Sequence, residues 1–491
     1  MMYAPIGDTP KWVLYKHTSN FDIVKQTAIE IKTAATTTLS NSDRRALLRK
    51  LKAAGLYTGR NPDEPLDSIQ HRINTLLWYM FGYREQIGAD KRFIFGPLGN
   101  LFMKNIENED NLRKILITML WGKQFPDMFG TPDQFKVYPF RIIFKLLSDS
   151  RIGGTLSCMD YAHCISRIEE IDERSYEDLI ASILEFRKLD LKQVEVLFKR
   201  TEHHYVNAFH EWEYTTKLLE SFGLINKSVG NKTFYLMHGK TTKRWLNDAR
   251  IVMHPQISAF CTVLLNSHSF AEKPVELNDP ERLRVDAIKE MYAFCPPELL
   301  RELQLDENSP EYKLANLPKL IKQFALNSTA GAPDEFEIQL TNAMNFFIDV
   351  EASRLSGPGN TDIECLYLRI NRKFAVEAKS TQTKLAGLNA GRLQLHREKI
   401  SADYTVVITP RYSPSVLTDI RNSRNVLLLV NTFAEYLYNL IAADERNVSY
   451  KDLHELALSN MGSDMSEEVS KLTVSRFSSP ANARELVGAN D

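Results

Sequence analysis

The sequence predicts a multidomain chain: a mainly α-helical N-terminal region built from helix–helix–ribbon units, then a C-terminal α/β domain around a central mixed sheet. Three observations predict it. Apolar residues recur at helical spacing through the first 270 residues, interrupted by two ribbon-like stretches. From residue 335 onward, helical segments alternate with short apolar runs of strand length. Between these regions, residues 271–330 are charged and punctuated by proline.

The chain has 491 residues, enough for about three domains, and its 43% apolar and 25% charged content is that of a globular protein with sizeable cores. A net charge of −1 means that affinity for nucleic acid must come from local basic patches. Cys158, Cys164, Cys261, Cys295 and Cys365 form no C-x-x-C pair and are odd in number, so they read as reduced thiols in a cytoplasmic protein. The N-terminus lacks an apolar run flanked by positive charge, and no segment reaches the ~18 consecutive apolar residues of a membrane helix.

In chain order, SDRRALLRKLKAAG (42–55) predicts a short helix with a Ser/Asp start and a glycine stop. DSIQHRINTLLWYMFG (67–82) predicts a second, with Ile69, Ile73, Leu76, Leu77 and Met80 on one stripe. A ribbon follows through Arg92–Phe95, then a small helix entered through Gly-Pro; this is the order of a winged helix. Helical stretches continue at 112–122 and 135–148. A similar unit begins at 205–225, where a helix ends in glycine and NKSVGNKTFYLMHG (226–239) offers turn residues between two extended runs. The expected units are 1–150 and 151–270 for two winged-helix recognition domains, a helical linker at 271–330, an α/β domain at 331–462 and a C-terminal tail at 463–491, of which SSPANARELVGAND (478–491) is expected to fray.

The α/β domain opens with a helix in EFEIQLTNAMNFFI. Extended runs at 362–370 and 374–379 follow, then a helix near 388–400 and a strand at 404–409. A helix in SPSVLTDIRN, the strand 426–430 and a final helix complete it.

Within GNTDIECLYLRINRKFAVEAKS (359–380), alternation places Asp362 and Glu364 on one face of the first strand, and Ala375, Glu377 and Lys379 on one face of the second. A hairpin can therefore gather Asp362, Glu377 and Lys379. Two readings compete: three solvated charges on an exposed hairpin, or two carboxylates that offer a hard divalent cation its oxygen ligands beside a lysine. The surroundings favour the second. Phe374, Ala375 and Val376 read as a core strand, Gly357-Pro358-Gly359 gives a tight entry to the aspartate, and the preceding helix carries Glu337, with Glu335 as its rival.

Other polar clusters carry less. His203, His204 and His210 read as structural or surface histidines, having no cysteine or further histidine nearby. His396 and Arg397 read as a solvated helix face, with a phosphate contact as the alternative. For DNA, Arg44, Arg45, Arg49, Lys50 and Lys52 on the first helix suit phosphates. Gln70, His71, Arg72 and Asn74 on the second suit base edges, and Lys91 and Arg92 lie in the ribbon. Lys240, Lys243 and Arg244 are a weaker phosphate candidate.

The acid-bearing helix, Asp362 on one strand and Glu377-x-Lys379 on the next resemble PD-(D/E)xK nucleases. The FE…LTNAM…FF helix, GNTDIE and VEAKS resemble the catalytic domain of Type IIS restriction endonucleases of the AlwI family, which includes PleI-, MlyI- and BstNBI-like enzymes and nicking relatives. FIFGPLGNLFM, LITMLWGKQFPD, KVYPFRIIFKLL, GGTLSCMDYAHCI and the KLLESFGLI–NKTFYL unit extend that similarity over roughly residues 40–450. The resemblance implies Asp362 and Glu377 as Mg²⁺ ligands, Lys379 as the motif lysine and Glu337 as the helix acid. It further implies a double-stranded DNA substrate cut a few base pairs from an asymmetric site, and a cognate methyltransferase. Cutting both strands would need a second catalytic domain, from a second copy or a partner subunit. Two alternatives stay open: a strand-specific nickase or another PD-(D/E)xK nuclease, and a non-catalytic winged-helix DNA-binding regulator.

Overall fold

The structure is a computed structural model that describes residues 11–477, apart from 16, 34–39, 58–65, 88–89, 130, 201, 280–283, 305–309, 356, 358, 444 and 446. The segment before the first helix is anchored by Trp12, which is fully buried and donates its indole N–H to the Ile168 carbonyl at 2.8 Å. Helices α1 (Phe21–Lys32), α2 (Asn41–Ala53) and α3 (Leu66–Trp78) pack on one another. Asn20 caps α1, and a Ser40/Asp43 capping box starts α2, satisfying backbone N–H groups that a first turn leaves open.

The ribbon predicted after α3 is present: β1 (Gly82–Ile87) and β2 (Asp90–Phe95) pair antiparallel from Gly82 opposite Phe95 to Ile87 opposite Asp90. Gly82 is required there, because a Cβ would stand 2.0 Å from the Ile94 carbonyl oxygen. Helices α4 (Pro97–Lys104), α5 (Glu109–Gly122) and α6 (Pro139–Leu147) follow, α4 and α6 each starting on a proline.

The next stretch runs β3 (Thr155–Ser157), α7 (Cys158–Asp160) with a π turn after it, α8 (Glu173–Phe186), α9 (Leu191–Lys199) and α10 (Glu202–Ser221). It continues through β4 (Ile225–Lys227), β5 (Lys232–His238), β6 (Thr242–Asn247), β7 (Arg250–Met253) and α11 (Pro255–Ser267). The expected pairing of the two runs in 226–239 is corrected here. Strand β4 pairs with β7, in a three-stranded sheet of order β3-β7-β4, and the hairpin is β5–β6. Gly239, at φ +66°, makes the β5–β6 reversal, whereas Gly230 seats its backbone against Ala249 and leads β5 away from β4. Lys240, Lys243 and Arg244 thus belong to the hairpin instead of following it.

Helices α12 (Arg284–Tyr292), α13 (Pro297–Glu302) and α14 (Pro310–Ala325) lead to the α/β region. That region comprises α15 (Ala332–Met344), β8 (Val350–Arg354), β9 (Ile363–Tyr367), β10 (Arg372–Ala378), α16 (Ala390–Lys399), β11 (Ala402–Thr409), α17 (Pro414–Ile420), β12 (Asn425–Leu429) and α18 (Val430–Ala442). Helices α19 (Lys451–Ser459) and α20 (Ser466–Phe477) close it. The sheet is mixed as predicted, in the order β12-β11-β10-β9-β8; β8, β9 and β10 are antiparallel neighbours, and β10, β11 and β12 run parallel. Parallel neighbours need crossovers, which α16 and α17 supply. One sheet face carries the larger core, with Phe336, Leu340, Phe374, Val376 and Phe433; the other carries Leu393, Val407, Val416, Ile420 and Leu427.

The polar, Ser-rich tail expected after 462 begins as an ordered helix, and the part expected to fray, SSPANARELVGAND (478–491), lies outside the described residues. Val469, Thr473 and Val474 are buried on α20, so a Ser-rich sequence folds because one stripe of it is apolar enough to dock. No described helix is long and apolar enough to cross a membrane.

Candidate active site

The chemistry-bearing hairpin forms at β9 and β10. Val376 stands opposite Ile363, so the next pair outward sets Glu377 across from Asp362 on the same sheet face. The neighbouring Phe374 and Val376 point into the opposite, apolar face. Asp362 is fixed by its approach: Gly357 and Gly359 both take the left-handed backbone region, and Lys399 at the end of α16 donates to the Gly359 carbonyl at 2.6 Å. The Ala378 backbone N–H then donates to Asp362 Oδ2 at 2.7 Å.

Lys379 Nζ lies 2.6 Å from Glu377 Oε1 and 4.0 Å from Asp362 Oδ2, so one ammonium meets both carboxylates. Glu337, on α15, accepts from Arg354 Nε at 2.6 Å, and Arg354 also pairs with Asp334. Helix α15, which carries Glu337, packs against β9 and β10, and the Asp362 charge acts on Glu337 there. All four residues picked out by the motif are therefore gathered. Glu335 is half-buried on the same helix.

Burial raises the Asp362 carboxyl, the Glu377 charge raises it further, and Lys379 and the Ala378 N–H oppose them; the net is a rise to about 6. Burial likewise raises Glu337, against the Arg354 hydrogen bond. His396 corrects the sequence reading of a solvated helix face. It is 4% exposed on α16, with Nδ1 4.0 Å from Glu377 Oε2. Burial and the nearby Arg392 and Lys399 lower its pKa. Arg397 is buried too and serves the fold, reaching Thr405, the Arg424 carbonyl and Asn425. Their i, i+3 and i, i+4 relation to Leu393 was the overlooked signal that this helix face turns inward.

Glu377 Oε2 is buried without a hydrogen-bond partner. With Asp362 it forms an all-oxygen donor pair open to an ion, which suits a hard divalent cation. Among the described residues no group of three or more His, Cys, Asp and Glu has metal-holding geometry, so a cation here would complete its shell from water and substrate oxygens.

The N-terminal candidates split into three places. Arg45, Arg49, Lys50 and Lys52 lie on the exposed side of α2, Lys50 bridging to Glu30 at 2.7 Å. Arg44, Gln70 and Asn74 form a half-buried polar network that Arg84 of β1 joins through a 2.5 Å bond to Asn74. Arg84 is a member that sequence reading missed. Arg72 donates to Thr18 Oγ1 at 3.0 Å, and His71 stacks on His17 with ring centroids 3.6 Å apart. Arg92 is half-buried, while the side chains of Lys91, His203 and His204 lie outside the described residues. His210 packs against Tyr214.

Comparison with known proteins gives the frame. The family model "Type II restriction endonuclease HgaI, N-terminal domain" matches residues 7–268. The Type II restriction enzyme HgaI of Avibacterium volantium is 39% identical over 483 residues, covering 96% of this chain and 99% of that one. Among solved structures, the restriction endonuclease FokI aligns over 93% of this chain and 100% of its own with 11% identity, and its DNA-bound form over 92% and 99%. Their TM-scores of 0.28 and 0.27 are too low to support an argument from shape. The resemblance to the AlwI family holds only at the coarser level of Type II restriction endonuclease. The chain belongs to the HgaI family and is a Type II restriction endonuclease, a site-specific, DNA-binding deoxyribonuclease.

Proposed function

We propose that this endonuclease is of Type IIS: it binds a short asymmetric double-stranded site with its N-terminal region and hydrolyses phosphodiester bonds a few base pairs away in a Mg²⁺-dependent PD-(D/E)xK centre. The observation that carries this reading is the approach of Asp362 and Glu377 to one ammonium, Lys379, on a single sheet face. Asp362 and Glu377 are the residues that would hold Mg²⁺. When bound, such an ion supplies charge stabilisation at a phosphoryl oxygen and acidifies a water.

The chain's own groups do the rest. Lys379 aims a cationic donor at the place where charge builds on the phosphoryl group. Glu337, oriented by Arg354, faces the cluster from the helix side and can accept a proton from water. His396 closes the Glu377 side of the site against solvent. The products are a 5′-phosphate and a 3′-hydroxyl.

Two winged-helix units, at 1–150 and 151–270, would carry recognition, joined through the 271–330 segment to a nuclease domain at 331–462. The exposed cations of α2 would hold phosphates. Gln70, His71, Arg72, Asn74, Lys91 and Arg92 would read bases or flank them, the α3 side chains exchanging their present internal partners for DNA. A cognate methyltransferase would protect the host site. Incubating supercoiled plasmid with the protein and Mg²⁺, then mapping the ends, tests the reading. Discrete ends at a fixed offset from a common asymmetric sequence support it; ends inside a symmetric sequence overturn it.

A further inference from the structure

The β5–β6 hairpin presents a face that neither the catalytic centre nor the α2–α3 surface uses. Its inner residues, Phe234, Leu236 and Leu246, are buried. Its outer face sets Tyr235 directly across from Trp245 and Met237 across from Lys243. Trp245 is 52% exposed, a large indole left in solvent, and its ring stands edge-on to Tyr235 at 5.3 Å. Lysines flank the pair: Lys243 Nζ sits 4.6 Å from the Tyr235 ring centroid and Lys232 Nζ 6.0 Å from that of Trp245.

The charge pattern is one-sided. No Asp or Glu occurs between Glu220 and Asp248, in a chain that holds 62 acids against 61 basic residues. Lys232, Lys240 and Lys243 have no carboxylate partner among the described residues, unlike Lys227, which bridges to Glu213 at 2.7 Å. A surface whose cations lack acids and whose aromatic pair lies between them complements a polyanion that also has flat apolar faces, as the deoxyribose and base edges of DNA do.

We propose that the outer face of the β5–β6 hairpin is a second DNA-contact surface, on which Lys232, Lys240 and Lys243 neutralise backbone phosphates and Trp245 packs on the exposed sugar and base edges. This rests on the chain's being a DNA endonuclease and adds a contact remote in sequence from α2 and α3. Phosphate contacts carry no sequence information and aromatic packing on bases is sequence-tolerant, so its contribution is similar for cognate and unrelated duplexes.

The test uses the full chain, a fluorescein-labelled mixed-sequence duplex and EDTA to prevent cutting. Each lost phosphate contact removes about 0.9 from the slope of log affinity against log salt. Lys232→Gln/Lys240→Gln/Lys243→Gln should therefore flatten that slope by about 2–3 and weaken binding more than about tenfold at low salt. Trp245→Ala should weaken binding at all salt concentrations with the slope retained, and Trp245→Phe should remove the DNA-induced part of the tryptophan quenching. Circular dichroism and melting confirm that these exposed substitutions leave the fold intact. The proposal is overturned if both variant sets bind with the parent's affinity and slope while the parent binds the duplex and cuts plasmid. A parent that cut plasmid but bound no mixed-sequence duplex would overturn it equally, because the proposed contact needs no particular sequence.

Discussion

Asp362 is pulled two ways: burial and Glu377 disfavour its charge, while Lys379 and the Ala378 N–H favour it. The balance near 6 fixes a pH dependence. Below about pH 6 the carboxyl is mostly protonated and a proton competes with the cation; above it the competition ends. The Mg²⁺ concentration for half-maximal cleavage should thus be flat above pH 7 and rise, approaching tenfold per unit, as pH falls below 6. Calorimetry with Ca²⁺ gives a second readout, because near pH 6 binding should release protons and above pH 8 it should release almost none. Lys379→Ala should lower single-turnover cleavage by about 10²–10³-fold, the cost of losing one donor aimed at developing charge; a loss below threefold in a plasmid assay would remove Lys379 from the centre. At this scale the sequence was informative, because strand alternation alone puts Glu377 and Lys379 on one face. The same reasoning missed His396: its spacing from Leu393 marks a helix face, but the residues that bury that face, Val407 and Leu427, come from later strands.

Between elements, the pair Lys289–Glu435 ties α12 to α18, with Nζ–Oε2 at 2.6 Å and both side chains no more than 10% exposed. Asn100 on α4 adds a 2.8 Å hydrogen bond to Tyr438, also on α18. Helix α18 therefore joins the nuclease sheet to the N-terminal region. Burial drives the Glu435 carboxyl up to about 8, and Lys289 is the cation placed to hold its charged form. Lys289→Met should cost about 3–5 kcal/mol, and Lys289→Met with Glu435→Leu should recover most of it. Urea denaturation checks both. The single variant's penalty should shrink at low pH, since the stranded carboxylate then takes up a proton at little cost; its folded pKa is raised, so stability is lost as pH rises. A penalty equal at pH 5 and 8 would show that charge burial is not its cause. Elements of this kind were only partly visible in the sequence. Strong periodicity disclosed α3, α15 and β10–β12, whereas β8 escaped because VEASR, an edge strand covered on one side only, has no run of apolar residues. The pairing of β4 escaped because two strands, β5 and β6, separate it from its partner β7.

Taken as a whole, the chain gathers Glu337, Asp362, Glu377 and Lys379 into one cluster, and a duplex has two strands of opposite polarity. One such cluster can engage one scissile phosphate at a time in a given orientation. If two copies of the chain act together on one bound site, the second cut requires a further molecule and so depends on protein concentration more steeply than the first. At protein limiting over supercoiled plasmid, open circles should accumulate first. Conversion of circles to linear product should then rise close to the square of protein concentration, while the first nick rises linearly. Adding a chain with Asp362→Ala should slow linearisation more than nicking, because inactive partners occupy the second place; adding a chain with intact Asp362 should accelerate it. First-order dependence of both steps, unaffected by the inactive chain, would mean that one molecule turns over both strands by repositioning. Open circles that never become linear at any concentration would make the enzyme a nickase. The sequence alone leaves this open because strand count depends on how many copies meet on DNA, which apolar periodicity and charge spacing within a single chain do not encode.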